Sequence, residues 1–512
     1  MKTTVELYVR NAYQAPNRVA IATESARRTY RQFWDRVRYL GSALEQAGVS
    51  RQGRVGIFAL NSIEYFEAVA AAEIGARIPT LLNFRMAVPE LKQLLQQTTP
   101  EVLIFDSTLA DVVSKGREQT SSIRRYICIG ENPPDWSTPF EDFLSEGRPE
   151  GPVEQPEPYD IGTLFFTGGT TGAPKAVPWT HKALLLAAHA MVTGEDTVLL
   201  QSSPAFHTGG RCPVLTTMWA GGTTILERNF DATRWLHLVQ EEKVTWTFMV
   251  PMMIQAVLDH PHLNAFDLSS LEWVMAASTA IPPQLLERAV SKMGSVFYVA
   301  YGSTEGGFVS RLRRSETRLD GDATTLRRLG SVGQVLPWAD VVLVTDEDKP
   351  VAHGETGEVC VRNYAFSGYW KDPAATIAAM WNKDYVRTGD LGRFDEEGYL
   401  FIVDRKKDMI ISGGENIYSK EVEDALHRHG DVQAASVVGY PDEQWGETVY
   451  AFVVPKPGHT IDPTELISFS RTQLAGYKCP RRVEVVDALP TTSAGKVDKI
   501  AIRNALEVRH TI

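Results

Sequence analysis

A loop rich in glycine and threonine, TGGTTGAPK (residues 167–175), contains the residue types that bind phosphate groups. Its three glycines, Gly168, Gly169 and Gly172, let the backbone adopt positive φ angles and point successive N–H groups into one concavity. Small hydroxyl side chains and Lys175 can then approach the phosphate oxygens. The loop is not a Walker A motif, because its lysine follows a proline and precedes an alanine. A hairpin tip is the alternative interpretation of the loop taken alone.

Six further segments lie downstream of this loop and carry a family resemblance. They are, in chain order, YGSTE (301–305), GYW (368–370), YVRTGD (385–390), DRKKDMIISGGENIY (404–418), VVGYPDEQWGE (437–447) and PTTSAGK (490–496). Together with the loop they resemble the signatures of the adenylate-forming superfamily of acyl- and aryl-CoA ligases, nonribosomal adenylation domains and luciferases. Because the seven matches occur in order, the chain is identified as a member of that superfamily.

Members of this superfamily join a carboxylic acid to ATP, release pyrophosphate and pass the acyl group of the acyl-AMP to a thiol. Because carboxylate and triphosphate repel each other, the site must offset that repulsion with positive groups and backbone donors. The nucleotide contacts that the resemblance implies are Thr167, Gly168, Gly169, Thr170, Thr171, Gly172 and Lys175 for the β- and γ-phosphates, Thr304 for the α-phosphate, Ser278, Tyr301 and Gly302 beside the adenylate, and Asp390 and Arg405 for the ribose. It also implies Mg²⁺ on the phosphates, held by Glu305. Taken alone, Glu305 could instead cap a helix, and Asp390 and Arg405 could be surface charges.

Lys496 lies sixteen residues before the last residue, where a lysine is usually a solvated charge. The resemblance implies that it is the adenylation lysine, which bridges the substrate carboxylate and the α-phosphate. It also implies that Asp404 is the hinge between a domain of residues 1–403 and a small mobile domain of residues 404–512. Without the resemblance, the charge run 404–408 would be interpreted as a solvated turn.

The second half-reaction would use another face of the small domain and the thiol of coenzyme A. In aryl-CoA ligases of similar sequence, residues at the positions of Arg85, Trp445 and Tyr477 contact the CoA nucleotide. Gly413 and Gly414 would allow a close approach of the pantetheine arm.

The resemblance also implies a pocket for the acyl group. Its lining residues would be His207, Thr208, Gly209, Val250, Pro251, Met252, Ser278, Thr279 and Gly302. His207 matches the aromatic or histidine gate that moves between the half-reactions, and a hydrogen-bonded core histidine is the alternative. None of these residues is an aspartate or glutamate that could bind the ammonium group of an amino acid, so we expect an apolar or aromatic acid as the substrate.

Composition indicates an acidic globular protein with at least two domains. The 512 residues exceed what one hydrophobic core usually supports, and 43% of them are hydrophobic. A net charge of −11 argues against non-specific binding to nucleic acid or to anionic membranes. The four cysteines have no metal-ligand spacing, so free thiols are expected. With no apolar run of membrane-spanning length, we expect a cytoplasmic enzyme without a membrane span, and the sequence leaves a homodimer open.

The elements that position these residues alternate between helices and strands. The predicted elements are helices at 28–48, 63–74 and 89–97 and strands at 55–60, 78–82 and 102–105. This alternation predicts a large α/β domain of layered parallel sheets. Residues 132–159, rich in Pro, Glu and Gly, predict a surface connection, and residues 329–403 predict a β-rich subdomain. A small α+β domain follows.

Three sites depart from the superfamily pattern. Gly168 stands where many relatives have serine, Pro178 removes an N–H from the strand after the loop, and Ser278-Thr279 replace a small Gly/Ala pair. Together these changes could weaken adenylation and leave thioester formation intact. The sequence therefore leaves open four hypotheses: an enzyme of both half-reactions, one that mainly converts a preformed acyl-adenylate, one that loads a carrier-protein phosphopantetheine, and a non-catalytic nucleotide sensor.

Overall fold

The computed structural model describes residues 1–117, 120–167, 174–190, 194–413, 415–442, 444–492 and 496–510, with side chains to residue 506. Several residues of the predicted site lie outside these ranges: Gly168, Gly169, Thr170, Thr171, Gly172 and Gly414. No helix within the described ranges combines the length and apolar character needed to cross a bilayer.

The described residues form helices and strands throughout the chain. The α-helices are α1 (Val5–Gln14), α2 (Tyr30–Gln46), α3 (Ile63–Ile74), α4 (Val88–Thr98), α5 (Ala110–Arg117), α6 (Phe140–Ser145), α7 (His181–His189), α8 (Thr208–Ala220), α9 (Ala232–Glu241), α10 (Pro251–Leu258), α11 (Pro283–Met293), α12 (Ala323–Arg328), α13 (Pro373–Ala379), α14 (Ser419–Leu426), α15 (Pro463–Gln473) and α16 (Lys499–His510). The strands are β1 (Val19–Ala22), β2 (Arg27–Thr29), β3 (Arg54–Phe58), β4 (Ile78–Leu81), β5 (Val102–Asp106), β6 (Arg125–Ile129), β7 (Thr138–Pro139), β8 (Ile161–Phe166), β9 (Ala176–Thr180), β10 (Val198–Gln201), β11 (Thr223–Leu226), β12 (Trp246–Met249), β13 (Trp273–Ala276), β14 (Phe297–Ser303), β15 (Gly307–Leu312), β16 (Gln334–Val335), β17 (Asp340–Val344), β18 (Gly357–Arg362), β19 (Met380–Trp381), β20 (Tyr385–Phe394), β21 (Leu400–Arg405), β22 (Ile410–Ser412), β23 (Glu415–Ile417), β24 (Val432–Asp442), β25 (Gly446–Pro455) and β26 (Arg482–Val485).

Two large, mostly parallel sheets form the body of the N-terminal part. One has the described order β7-β6-β5-β3-β4-β8-β9, with only β9 antiparallel, and the other has the order β16-β15-β14-β13-β12-β10-β11-β1-β2, antiparallel only at its two ends. Parallel neighbours need crossover connections, which the helices supply. Every residue of α3 except Glu64 is buried, so this helix has almost no solvated face.

A third sheet and a fourth sheet complete the fold. The third is antiparallel, with β17-β18-β20-β19 in order and β21 on β20. The fourth, after Asp404, has the order β23-β22-β25-β24 with β26 on β25 and has its own hydrophobic core together with α14 and α15. The predicted α/β fold with a β-rich subdomain and a small α+β domain is therefore confirmed.

Local sequence signals explain where several elements begin. Thr29 and Gln32 form a reciprocal capping box at the start of α2, and the Ser62 hydroxyl accepts the Tyr65 N–H at 3.1 Å to begin α3. The predicted surface connection at 132–159 is wrong in part, because it contains β7 and α6. Phe143 of α6 is fully buried, so its apolar surface overrode the Pro- and Gly-rich composition around it.

Candidate active site

Four parallel strands end at one edge of the nine-stranded sheet and bring the predicted acyl-pocket segments together. The loop after β10 leads to His207, β12 leads to Val250, β13 leads to Ser278, and β14 runs through Tyr301 and Gly302. Ligands of open α/β sheets bind outside the carboxyl ends of such strands. The arrangement therefore places residues that lie up to 95 positions apart in the chain at one edge of the sheet.

His207 lies at the start of α8, and its backbone carbonyl accepts the N–H groups of Gly210 and Arg211 at 3.0 and 2.9 Å. Its Nε2 atom is buried and has no hydrogen-bond partner among the described residues. Burial, together with the charges of Lys496 and Arg85, lowers the pKa of His207 to about 3. The imidazole is therefore neutral at physiological pH, with one nitrogen available to a ligand.

Aromatic rings surround this histidine. The Phe206 ring centroid lies 4.2 Å from that of His207, and Phe84 packs edge-on against Phe206 at 5.5 Å. A Cβ atom on Gly209 would come within 2.6 Å of the Phe248 ring, so only glycine fits against that ring. The predicted pocket segment is therefore flanked by flat apolar surfaces.

The predicted ribose residues form one hydrogen-bonded group. In the ladder between β20 and β21, Asp390 lies opposite Arg405, whose Nε donates to Asp390 Oδ1 at 2.7 Å. The Tyr301 hydroxyl donates to Asp390 Oδ2 at 2.7 Å. Burial and the Asp390 charge raise the pKa of Tyr301 well above its usual value, so its hydroxyl stays a donor. A cavity of about 310 Å³, lined partly by Gly389 and Arg405, opens next to this group.

Lys496 of the C-terminal part lies within electrostatic reach of this group. Removal from water lowers the pKa of Lys496 to about 8, the Arg405 charge lowers it as well, and Asp390 opposes them. Its backbone carbonyl accepts the Thr492 N–H at 2.7 Å. The charges of Arg405 and Asp390 thus act on Lys496, and the Lys496 charge acts on His207.

The base of the glycine-rich loop joins the other side of the site. Thr167 donates its N–H to the Lys175 carbonyl at 3.0 Å, which closes the β8–β9 hairpin. The Trp179 indole donates to the Thr304 carbonyl at 2.9 Å and so ties β9 to the turn between β14 and β15. Pro178 lies in β9, an edge strand, which is where a sheet tolerates proline.

The surroundings of Glu305 fit a magnesium ion that is bound mainly through phosphates. Glu305 follows β14, and its Oε1 accepts the Tyr369 hydroxyl at 2.9 Å. Among the described residues, no cluster of three or more His, Cys, Asp or Glu side chains could cage a metal. Mg²⁺ usually takes one or two carboxylates and completes its shell with water and substrate phosphates, so a single carboxylate suits it.

Tyr369 belongs to the GYW segment, to which the sequence assigned no role. Its ring centroid lies 4.7 Å from Lys175 Nζ, and burial together with Glu305 raises its pKa. The only sequence signal for this residue was the segment itself, because its contacts come from distant parts of the chain.

The predicted hinge residue is not in a solvated turn. Asp404 and Asp408 are both buried. Asp404 accepts the Ser419 N–H at 2.5 Å and the Ser419 hydroxyl at 3.0 Å at the start of α14, and Lys499 donates to the Ser419 hydroxyl at 2.6 Å. The two aspartates of the charge run are therefore buried, whereas Arg405 and Lys407 are exposed, so a fully solvated turn is wrong for the aspartates.

The predicted CoA residues lie in two places. Gly413 donates its N–H to the Trp445 carbonyl at 2.8 Å, and the Trp445 ring packs where a Gly413 side chain would be. The Arg481 guanidinium lies 5.1 Å from the Trp445 ring, and Tyr477 is about half-exposed on the same small domain. Arg85 lies in the large part of the chain, where its charge acts on His207.

Two residues of the predicted pocket have a backbone angle or a solvent exposure that the sequence did not predict. Ser278 is exposed and adopts φ +77°, in the left-handed region that favours glycine. Met252, at the start of α10, is 51% exposed, so it borders rather than fills the pocket segment. The backbone at Ser278 thus has a conformation that favours glycine, and the superfamily pattern has a small Gly/Ala pair at residues 278–279.

Similarity to known protein families identifies the class of this protein. Residues 8–370 match the family described as AMP-binding enzyme, and residues 421–496 match the AMP-binding enzyme C-terminal domain. The chain belongs to the AMP-binding enzyme family.

Relatives of the chain narrow this class. The chain is 35% identical to a feruloyl-CoA synthase from an Amycolatopsis species over 97% of each chain, and 34% identical to the indoleacetate–CoA ligase of Aromatoleum aromaticum over 96% of each. An anthranilate CoA ligase in complex with anthranoyl-AMP superimposes with a TM-score of 0.93 and 26% identity, covering 100% of this chain and 98% of that one. The chain is therefore an AMP-forming acid–thiol ligase.

Proposed function

We propose that this enzyme activates an apolar or aromatic carboxylic acid with ATP to the acyl-AMP and then transfers the acyl group to CoA, as one enzyme of both half-reactions. The observation that supports the proposal is that Lys496, from the C-terminal part, is electrostatically coupled to Asp390, Arg405 and His207. An ammonium group at this point offsets the repulsion between the acid and the α-phosphate.

The other residues have complementary roles in this proposal. Asp390 accepts the ribose hydroxyls, since each carboxylate oxygen already engaged by Arg405 or Tyr301 keeps a second lone pair. Lys175 and the backbone of the glycine-rich loop hold the terminal phosphates. Glu305 would hold Mg²⁺, which supplies positive charge to the triphosphate.

The proposed acid is flat and apolar. The Phe206 ring packs against His207 and the Phe248 ring against Gly209, Phe84 packs against Phe206, and the neutral His207 offers one uncharged polar contact. Feruloyl-CoA synthase and indoleacetate–CoA ligase, both similar over nearly the whole chain, are named for aromatic acids. A panel of aromatic, aliphatic and amino acids, assayed for CoA thioesters by mass spectrometry, tests this choice. Turnover of the amino acids alone would contradict it.

Two half-reaction assays separate the alternatives. Pyrophosphate release with acid and ATP but without a thiol is expected for the full ligase and not for an enzyme that only converts acyl-adenylates. Lys496→Ala should abolish that release and spare the conversion of supplied acyl-AMP to its thioester. Equal loss of both steps would contradict a role confined to adenylation. Replacing CoA by a phosphopantetheinylated carrier protein in the same assay tests the other thiol acceptor.

A further inference from the structure

The GYW segment holds Tyr369 rigidly between two parts of the proposed site. Thr376 of α13 accepts the Tyr369 N–H at 2.9 Å, and the next N–H, of Trp370, donates to the Ala176 carbonyl of β9 at 2.8 Å. Phe366 packs edge-on against the Tyr369 ring with centroids 5.1 Å apart. Backbone and ring are therefore fixed from three sides.

The Tyr369 side chain contacts the two oppositely charged groups that would face the triphosphate. Its hydroxyl donates to Glu305 Oε1 at 2.9 Å, and its ring lies 4.7 Å from Lys175 Nζ. The ion pairs of the described residues include none between Lys175 and Glu305. An aromatic face attracts an ammonium group and a phenol hydroxyl orients a carboxylate, so one residue serves both charges.

We propose that Tyr369 is a positioning residue for adenylation, which keeps Lys175 and Glu305 from neutralising each other and aims both at the phosphates. Without the Tyr369 ring, the opposite charges of Lys175 and Glu305 would favour a direct ion pair between them. With the hydroxyl on Oε1, the second carboxylate oxygen of Glu305 is left for the metal ion. This inference rests on the proposed function, because it assigns the phosphates and Mg²⁺ to these two residues.

Two substitutions separate the hydroxyl from the ring. Tyr369→Phe removes the bond to Glu305 and keeps the aromatic face for Lys175, whereas Tyr369→Leu removes both. Tyr385→Phe is the matched control, because it too removes a tyrosine–carboxylate hydrogen bond, the one from the Tyr385 hydroxyl to Asp340 at 2.6 Å, and this bond involves neither Glu305 nor Lys175. The midpoint of thermal unfolding, measured for each purified full-length variant, confirms that it is folded.

The experiment measures ATP binding by titration calorimetry, in EDTA and at increasing Mg²⁺, without acid or CoA. Tyr369→Phe should bind ATP with the wild-type affinity in EDTA. The increase in ATP affinity on adding Mg²⁺ should be about tenfold smaller than in the wild type. Tyr369→Leu should bind ATP about threefold to tenfold more weakly even in EDTA, because Lys175 is no longer held. Tyr385→Phe should match the wild type in both conditions.

A double substitution tests whether Tyr369 acts through Glu305. If it does, adding Tyr369→Phe to Glu305→Gln causes no further loss of the Mg²⁺-dependent affinity. Additive losses, or an unchanged Mg²⁺ response in Tyr369→Phe while the wild type responds, would overturn the inference. A wild-type protein that binds no ATP would instead overturn the proposed function, and this inference with it.

Discussion

The position of Lys496 gives adenylation a pH dependence that an ordinary surface lysine would not produce. Its pKa is lowered to about 8 from an ordinary value of 10.5, first by removal from water and then by Arg405, with Asp390 opposing the shift. The ammonium form is the one that offsets negative charge, so activity is present below the pKa and is lost as the pH rises through it. His207 does not titrate in this range, because its pKa is lowered to about 3.

The size of the effect follows from the two protonation states. With a pKa of about 8, roughly ten lysines in eleven are charged at pH 7 and one in eleven at pH 9, so the rate should fall about tenfold. With the ordinary pKa, the same change in pH would remove only about 3% of the charge. Bound ATP will raise the pKa, so the effect belongs in kcat/KM, which reports the free enzyme.

The assay is pyrophosphate release at ATP concentrations far below KM, between pH 6 and 10, with an acid found active in the thioester screen. Lys496→Arg should be slower but flat across this range, since a guanidinium stays charged. Conversion of supplied acyl-AMP by CoA should rise with pH, because the thiolate is the nucleophile. A wild-type kcat/KM that stays level from pH 7 to 9 would refute the electrostatic reasoning about Lys496.

Three further substitutions test other features of the structure. Ser278→Gly should raise the free energy of unfolding by about 0.5–1 kcal/mol, because it relieves a left-handed backbone, and a denaturant titration showing a decrease would contradict this. Arg211→Ala should cost about 3–5 kcal/mol in the same titration, because it leaves the carboxylate of the fully buried Glu73, 2.7 Å away, unpaired. The exposed ion pair between Arg318 and Asp320 is the control for Arg211→Ala. Arg318→Ala should lower the free energy of unfolding by less than about 1 kcal/mol. Asp404→Pro should fix one orientation of the small domain and impair one half-reaction, and equal loss of both would argue against a hinge.

Most of the fold was predicted from local signals. Helix caps and hydrophobic periodicity act over a few residues, so they can be recognised in the sequence. The helix from 63 to 74 was predicted with both of its bounds, since Ser62 accepts the N–H of Tyr65 and Gly75 follows the last turn. The strand at 102–105 was predicted within one residue of β5. The short helix α6 was missed, because its stability comes from burying Phe140 and Phe143 against α2 and β6, not from its local sequence.

The site was harder to predict, because its geometry depends on pairs that are far apart in the chain. The motifs pointed to Asp390 and Arg405 separately, but only the β20–β21 register puts them side by side. Tyr369 received no role, since its partners Lys175 and Glu305 lie 194 and 64 residues away. Hydrophobic periodicity and helix-capping residues indicate secondary structure, and neither indicates such tertiary contacts.

The site solves one electrostatic problem twice in the same way. The proposed pocket for a triphosphate needs positive charge, yet it contains two carboxylates, Asp390 and Glu305, in a chain of net charge −11. Each accepts a hydroxyl from a tyrosine of another segment, Tyr301 at 2.7 Å and Tyr369 at 2.9 Å. A phenol donates a hydrogen bond without adding positive charge, so it orients the carboxylate and leaves its charge for a ribose or a metal ion. At Glu305, a lysine in place of Tyr369 would cancel that charge, and a phenylalanine would remove the hydrogen bond that orients the carboxylate. Asp390 is held in addition by Arg405 at 2.7 Å.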